Sequence, residues 1–388
     1  MPAPENMRIT LWGTRGSCPS VGSPEEIREH TEKASEAALS YIKERIFSES
    51  GLIELRHLFR GSTEEIVSQI PISYPTVFGG ETTCIEIETS EGNIIILDCG
   101  SGLRRCAQEI LYKRKGNVIN DIFLFGTHGH LDHRSGIPFA EICFADPPIN
   151  IQVFGCSGFL ASLDSRFGVF SHTTTESTYL DDPVDYTAMT ASFQGTELRF
   201  DSRNDAPHPD QAWNVQDLSE PIKIGSTTVQ GFRSYHGATE CLGYRIDHGG
   251  KSFVFSTDHE KLSPSCLSEA NLGEDELNKS LQAEEVLLSM CRGVDLAYFD
   301  GQYLQTEYLG QKSLGRGPAL SRVGWGHGCI EEVFDRVRES KIRHALIGHH
   351  DPTRSWSSLE EIAQALFDFS GSNEYKVEFA RDGQSVEL

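Results

Sequence analysis

The 388-residue sequence has no Cys-x-x-Cys pair, no apolar stretch long enough to span a membrane and no excess of basic charge. Each absence excludes something. Without paired cysteines a thiolate zinc site lacks its usual ligand spacing. The ten cysteines, most of them inside apolar runs (Cys84, Cys99, Cys143, Cys241), read as buried, reduced thiols. The longest purely aliphatic run, Ile94–Leu97, falls far short of the roughly 18 residues a spanning helix needs. The opening residues MPAPENMR carry no basic–apolar–small signal pattern, so the expectation is a soluble cytoplasmic protein with no membrane partner. Lys and Arg number 34 against 57 Asp and Glu, a formal net charge of −23. A general nucleic-acid binder neutralises phosphates with clustered cations, so a large nucleic acid is disfavoured. An anionic substrate would need a local centre that overcomes the chain's own field.

What is present is an ordinary globular composition, 38% apolar and 23% charged, enough for a sizeable core. The whole chain, 1–388, is read as a single domain. Strands are predicted at 7–12, 83–88, 94–98 and 122–125, with a helix over 103–115. A second series follows at 151–154, 227–233, 242–246 and 252–256, then helix 276–290, strand 294–299, helix 330–340, strand 345–347 and helix 359–369. Segments of β then α thus occur in each half, which predicts an α/β fold of two mixed sheets face to face with helices outside. Residues 24–72 form a helical insertion. Ser23-Pro24-Glu25-Glu26 is a capping box with proline at the first helical position, and Ser62-Thr63-Glu64-Glu65 is a second helix start. Its apolar stripe covers either its own domain, as a lid, or a subunit interface in a homodimer. The Ser-, Thr-, Asp- and Pro-rich stretch 156–220 is read as loops with short elements.

The strongest chemical signal is Thr127-His128-Gly129-His130-Leu131-Asp132-His133, directly after the apolar strand ending at Gly126. Three imidazoles and a carboxylate within six residues form a metal-ligand cluster. On extended or turning backbone His128 and His130 project to one side, and the Asp132-His133 pair reaches a second site nearby. Nitrogen ligands with one carboxylate favour zinc, with manganese or iron as alternatives. His236, Asp258 and His349 are ligand-type residues at the carboxyl ends of apolar strands, where a rigid sheet positions them. His350 is an adjacent alternative to His349.

In these motifs the sequence resembles the metallo-β-lactamase superfamily. HGHLDH fits the HxHxDH signature, and LWGTRGSCP, FGGETTCIEIE, ILDCGSGLR, TDHE, DLAYFDGQY, GWGHG and IGHHDP are similar in order to one branch. That branch holds cyclic-nucleotide phosphodiesterase-like enzymes and tRNA 3′-end-processing endonucleases of the tRNase Z type. The resemblance implies an αββα sandwich with a two-metal centre. His128, His130 and His236 would hold one metal, Asp132, His133 and His349 the other, and Asp258 would bridge them. The mechanism it implies is attack of a metal-bound hydroxide on phosphorus, with Asp132 orienting the nucleophile and His327 of GWGHG as general acid. Arg322 and Tyr303 are candidate substrate contacts, Arg322 lying with Lys312 and Arg316 in a stretch free of acidic residues.

The chain also departs from the pattern. HTHWDH is the commoner signature, and an HST-like segment has become His327-Gly328-Cys329. A histidine–glutamate pair of the endonucleases is replaced by Asp300-Gly301-Gln302-Tyr303, which points away from tRNA processing. The leading expectation is therefore a dinuclear phosphodiesterase for a small phosphodiester such as a cyclic nucleotide. Alternatives are a lactone or thioester hydrolase, a tRNase Z-like endoribonuclease, or a non-catalytic metal-dependent sensor. Two divalent ions with Asp132, Asp258 and a hydroxide would leave a local charge near +1, which suits a small anionic substrate.

Overall fold

Apolar alternation on both faces of the central strands decides the architecture. In the strand Lys251–Ser256, Phe253 and Phe255 point one way and Val254 the other, and all three are buried. The same holds for Leu296–Asp300, where Leu296 and Tyr298 oppose Ala297 and Phe299. Side chains of period two, buried on both sides, require cover above and below the sheet. The computed structural model supplies it; it describes residues 6–70, 77–114, 119–173, 186–200, 212–267, 271–315, 317–370 and 375–388.

Two sheets form the middle layers. The first runs, in spatial order, Ser385–Glu387 (β15), Met7–Gly13 (β1), Cys84–Thr89 (β2), Ile94–Leu97 (β3), Asp121–Gly126 (β4), Asn150–Gly155 (β5), Ser192–Arg199 (β6) and Asn214–Asp217 (β7). The second runs Lys376–Phe379 (β14), His344–Gly348 (β13), Leu296–Asp300 (β12), Lys251–Ser256 (β11), Thr239–His248 (β10), Thr227–His236 (β9) and Ile222–Ile224 (β8). Those that position the site are β1 (Met7–Gly13), β2 (Cys84–Thr89), β3 (Ile94–Leu97), β4 (Asp121–Gly126) and β5 (Asn150–Gly155) in the first. In the second they are β9 (Thr227–His236), β10 (Thr239–His248), β11 (Lys251–Ser256), β12 (Leu296–Asp300) and β13 (His344–Gly348). β3, β4 and β5 are mutually parallel, as are β11, β12 and β13, so each sheet presents several carboxyl ends on one side. Ile85, Ile87, Ile95 and Phe125 of the first sheet meet Val229, Tyr244, Phe255 and Tyr298 of the second in one core between the sheets. Outside the first sheet lies the helix α4 (Leu103–Arg114), burying Cys106, Ala107 and Ile110. Outside the second lie α6 (Glu274–Cys291), α7 (Ile330–Ser340) and α8 (Trp356–Ser370), whose Leu287, Val333, Val337 and Leu359 form a second core with Val254, Phe299 and Ile347. This is the expected αββα order.

Between β1 and β2 stand α1 (Pro24–Ile46), α2 (Glu49–Leu58) and α3 (Thr63–Gln69). Both capping boxes form. Ser23 accepts the Glu26 N–H and Ser62 that of Glu65, and each glutamate accepts its cap's N–H in return. Residues 71 and 72, the end of the expected insertion, lie outside the described residues.

The 156–220 stretch, expected as loops with short elements, holds among its described residues α5 (Ser157–Phe167) and the strands β6 (Ser192–Arg199) and β7 (Asn214–Asp217), which extend the first sheet in parallel. The helix buries Phe159, Leu160, Leu163 and Phe167, a helical spacing hidden by intervening serines. No helix among the described residues is long and apolar enough to cross a membrane.

Candidate metal centre

The strand ends of the two sheets meet at one point. β4 delivers Thr127 and then, on extended chain turning into the short helix Leu131–His133, the side chains of His128, His130, Asp132 and His133. From the second sheet come His236, the last residue of β9, Asp258 beyond β11 and His349 beyond β13. Asp258 and His349 adopt left-handed backbone at φ 50° and 54°, a conformation non-glycine residues rarely take and one that clusters at functional sites.

The seven candidate ligands resolve into two groups that share one carboxylate. His128, His130, His236 and Asp258 converge in one, and Asp132, His133 and His349 in the other. Asp258 faces both. Its Oδ2 lies 3.5 Å from His128 Nε2 and 3.6 Å from His236 Nε2, and its Oδ1 lies 3.3 Å from His133 Nε2 and 3.1 Å from His349 Nε2. Asp132 Oδ2 lies 3.3 Å from both His133 Nε2 and His349 Nε2 and accepts the Ser17 N–H at 2.8 Å.

Hydrogen bonds behind the rings fix which nitrogens face inward. His133 donates Nδ1–H to Asp98 Oδ2 at 2.7 Å, and His236 donates Nδ1–H to the Gly326 carbonyl at 2.8 Å. Thr127 donates its hydroxyl to Asp98 and accepts from His128 Nδ1 at 3.0 Å. His130 reaches the Thr239 hydroxyl through Nε2 at 3.4 Å. With those protons committed outward, the inward nitrogens of His128, His130 and His236 carry lone pairs. Two of them, His236 Nε2 and His130 Nδ1, confront each other at 3.1 Å, and His128 Nε2 and His133 Nε2 are buried without a hydrogen-bond partner. Facing lone pairs repel unless a cation stands between them, so the donor set fits metal ions. Two glycines press on the rings from behind. A Cβ on Gly16 would lie 2.4 Å from His349 Nδ1, and one on Gly326 (φ 89°) 2.0 Å from His236 Nδ1.

The electrostatics differ between the groups. Burial pushes His128 and His130 down, and His236 to about 4, which holds these imidazoles neutral. Burial also opposes charge on His133 and His349, but Asp132 and Asp258 outweigh it and raise both, His349 to about 9. Burial alone would raise Asp132, yet His133 and His349 hold its carboxyl far below the usual range. A pocket that attracts protons this strongly is one of negative potential, suited to a divalent cation.

His350 is not part of the cluster. It turns away, donates Nε2–H to the Ala380 carbonyl at 2.9 Å and packs edge-on against Phe78 and Phe379. His327 stands at the rim, its ring centroid 5.1 Å from that of His236 and 5.0 Å from that of His349. It donates Nδ1–H to Asp300 Oδ2 at 3.0 Å, and a third convergent group joins it with Asp258, Asp300 and His349. Tyr303 is buried, with its ring 6.1 Å from that of His327. Arg322 lies over the Tyr303 ring at 5.4 Å and donates Nη1 to the Glu307 and Leu320 carbonyls. Arg316 lies outside the described residues.

Sequence reasoning missed three supports. Asp98 and Asp300 close β3 and β12, the same strand-end placement that singled out Asp258. Glu260, buried two residues beyond Asp258, accepts the N–H groups of Gly324 and Gly326 at 2.6 and 2.7 Å and so anchors the loop that carries His327. His259, next to Asp258, is buried and donates to Glu284, which Arg336 also grips.

No family model matches the chain, and no curated protein matches its sequence. Its structure is similar to a diphosphatase from the PhnP family, with 14% identity, a TM-score of 0.50 and coverage of 99% of this chain and 97% of that one. It is similar also to Zn2+-bound PqqB from Methylobacterium extorquens, with 13% identity, a TM-score of 0.52 and coverage of 98% and 100%. Both neighbours are metallo-β-lactamase fold proteins. The chain has the metallo-β-lactamase fold. In this metallo-β-lactamase fold the His/Asp cluster lies where the strands of both sheets end, and its rim is built by the 324–328 loop and the turn at Ser17.

Proposed function

We propose that the protein is a metal-dependent hydrolase of a small phosphodiester, with a cyclic nucleotide as the leading substrate. The observation that carries this reading is Asp258, whose two oxygens face two separate ligand groups. Such an arrangement suits two ions rather than one. His128, His130 and His236 would hold one ion, Asp132, His133 and His349 the other, and zinc is the favoured metal, with manganese or iron as alternatives. Bound there, the ions would acidify water and neutralise charge on phosphorus.

The chain's own residues supply the rest. Asp132, fixed by the Ser17 N–H, accepts a hydrogen bond from the attacking water and orients it. His327, held by Asp300 through Nδ1, presents Nε2 as proton donor to the leaving oxygen. Tyr303 packs beside that ring, and Arg322 braces Tyr303 from behind. The rest of the −23 chain repels long polyanions, which favours a small diester over RNA. The likeness to a diphosphatase supports phosphate chemistry on this fold.

The test is turnover of bis(p-nitrophenyl) phosphate by metal-loaded protein, followed by a panel of 3′,5′- and 2′,3′-cyclic nucleotides, cyclic dinucleotides and precursor tRNA. Chelator-sensitive cleavage of the small diesters is expected. Cleavage of lactones or thioesters alone would overturn the phosphodiesterase reading, and precursor tRNA as the best substrate would overturn the size argument.

A further inference from the structure

The three helices between β1 and β2 expose apolar surface that nothing in the metal centre uses. α1 has two faces. On one, buried His30 stands edge-on to Trp356 at 5.1 Å, and Glu26 accepts the Trp356 N–H at 2.8 Å, tying the first turns to the outer layer of the second sheet. On another lie Leu39, Ile42 and Ile46 at i, i+3 and i+7, with Leu39 59% and Ile46 45% exposed. That is the spacing of a helix–helix seam. α2 folds back on the end of α1 through the Arg45–Glu54 ion pair at 3.4 Å. At this end of the hairpin Phe47 is 89% exposed, and Ile53 and Phe59 are 58% and 53% exposed.

Charge singles out the same segment. Residues 39–60 carry Lys43, Arg45, Arg56 and Arg60 against Glu44, Glu49 and Glu54, a net +1 in a chain of −23. Two copies of so acidic a chain repel over most of their surface but not here. We propose that this hairpin is the contact surface for a second copy of the chain, with the Leu39–Ile42–Ile46 seams packed against each other about a two-fold axis. At roughly 150 Å² for each fully exposed side chain of this size, the exposed apolar residues offer on the order of 500 Å² per copy. This matches the apolar share of one face of a standard interface, about 800 Å² per partner. An anionic membrane is the weaker occupant. Arg45 is already spent on Glu54 and on the Tyr41 ring, 3.6 Å away, which leaves Lys43, Arg56 and Arg60 interspersed with glutamates, short of the roughly four to eight clustered cations that such surfaces use.

Sedimentation velocity on the full chain across the micromolar range tests this. A concentration-dependent dimer is expected. Leu39→Glu with Ile46→Glu should weaken it about tenfold or more, whereas Val286→Glu, on the exposed side of α6, should leave it unchanged. Phe47→Ser, at a side chain that is almost fully exposed, weakens the dimer without disturbing the fold and covers the case in which the double variant fails to fold. Wild-type protein that stays monomeric, or a dimer indifferent to the seam and Phe47 variants, overturns the proposal. So does a monomer that binds phosphatidylcholine–phosphatidylglycerol vesicles, since the surface would then belong to lipid.

Discussion

The two sheets furnish the candidate metal centre in different ways. The first gives four side chains from one continuous segment, His128 to His133, beyond the single strand β4. The second gives His236, Asp258 and His349 one at a time from three strand ends spread over more than a hundred residues of chain. The first contribution is local, so it survives if the segment itself folds. The second depends on global register, and it is there that left-handed backbone at Asp258 and His349 stores strain of about 1–3 kcal/mol per residue. A local motif gives chemistry; the assembled sheet gives the geometry that joins the two groups.

The largest effect expected from breaking this division is at Asp258. Asp258→Asn removes the one carboxylate that faces both groups, so metal content should fall at both and diester turnover should drop by orders of magnitude. Asp132→Asn, on the local segment, should deplete only the second group. Elemental analysis of the two variants distinguishes them, and equal losses would mean that the groups are not joined as described.

A smaller effect belongs to the rim. Asp300→Ala leaves all seven candidate ligands in place but removes the acceptor of the His327 Nδ1–H. For substrates with a poor leaving group kcat should fall about 100-fold, while p-nitrophenolate, which leaves without a proton, should be little affected. An equal loss with both would assign Asp300 to metal binding, as its place in the third convergent group allows.

The smallest effect lies behind the second sheet. Burial alone would raise Glu284, but Arg336 and His259 pull its carboxyl well below the ordinary range. The folded pKa is thus below the unfolded one, near 4.3, so this stabilisation is full at neutral pH and is lost as pH falls from there towards the folded value. Thermal melts between pH 5 and 3 should show wild type losing on the order of 1–2 kcal/mol more than Glu284→Gln, which starts less stable at neutral pH. Parallel curves would show that the pair contributes nothing to the acid response.

How much of this was legible follows from the same division. Thr127–His133 can be read directly because its ligands are sequence neighbours behind an apolar strand. His236, Asp258 and His349 are visible only as ligand-type residues at strand ends, and only the resemblance drew them together. Asp98 and Asp300 occupy the same kind of position, yet a carboxylate whose partner is a histidine tens of residues away leaves no local mark. His349 and His350 are indistinguishable as letters; the left-handed turn at His349 sends one ring into the cluster and its neighbour to Ala380. α5 and β6 escaped because their polar residues outnumber the buried ones, and only the neighbouring strand reveals which face matters.

Gly16 and Gly326 leave one more consequence. Each hydrogen that a substitution would replace points straight at a candidate ligand ring, so the walls of this site are less replaceable than its ligands. Exchanging His349 or His236 for a smaller aspartate leaves room to spare, whereas one methyl group behind either ring evicts it. Natural variation and directed evolution towards another metal should therefore run through the histidines themselves, with both glycines held still.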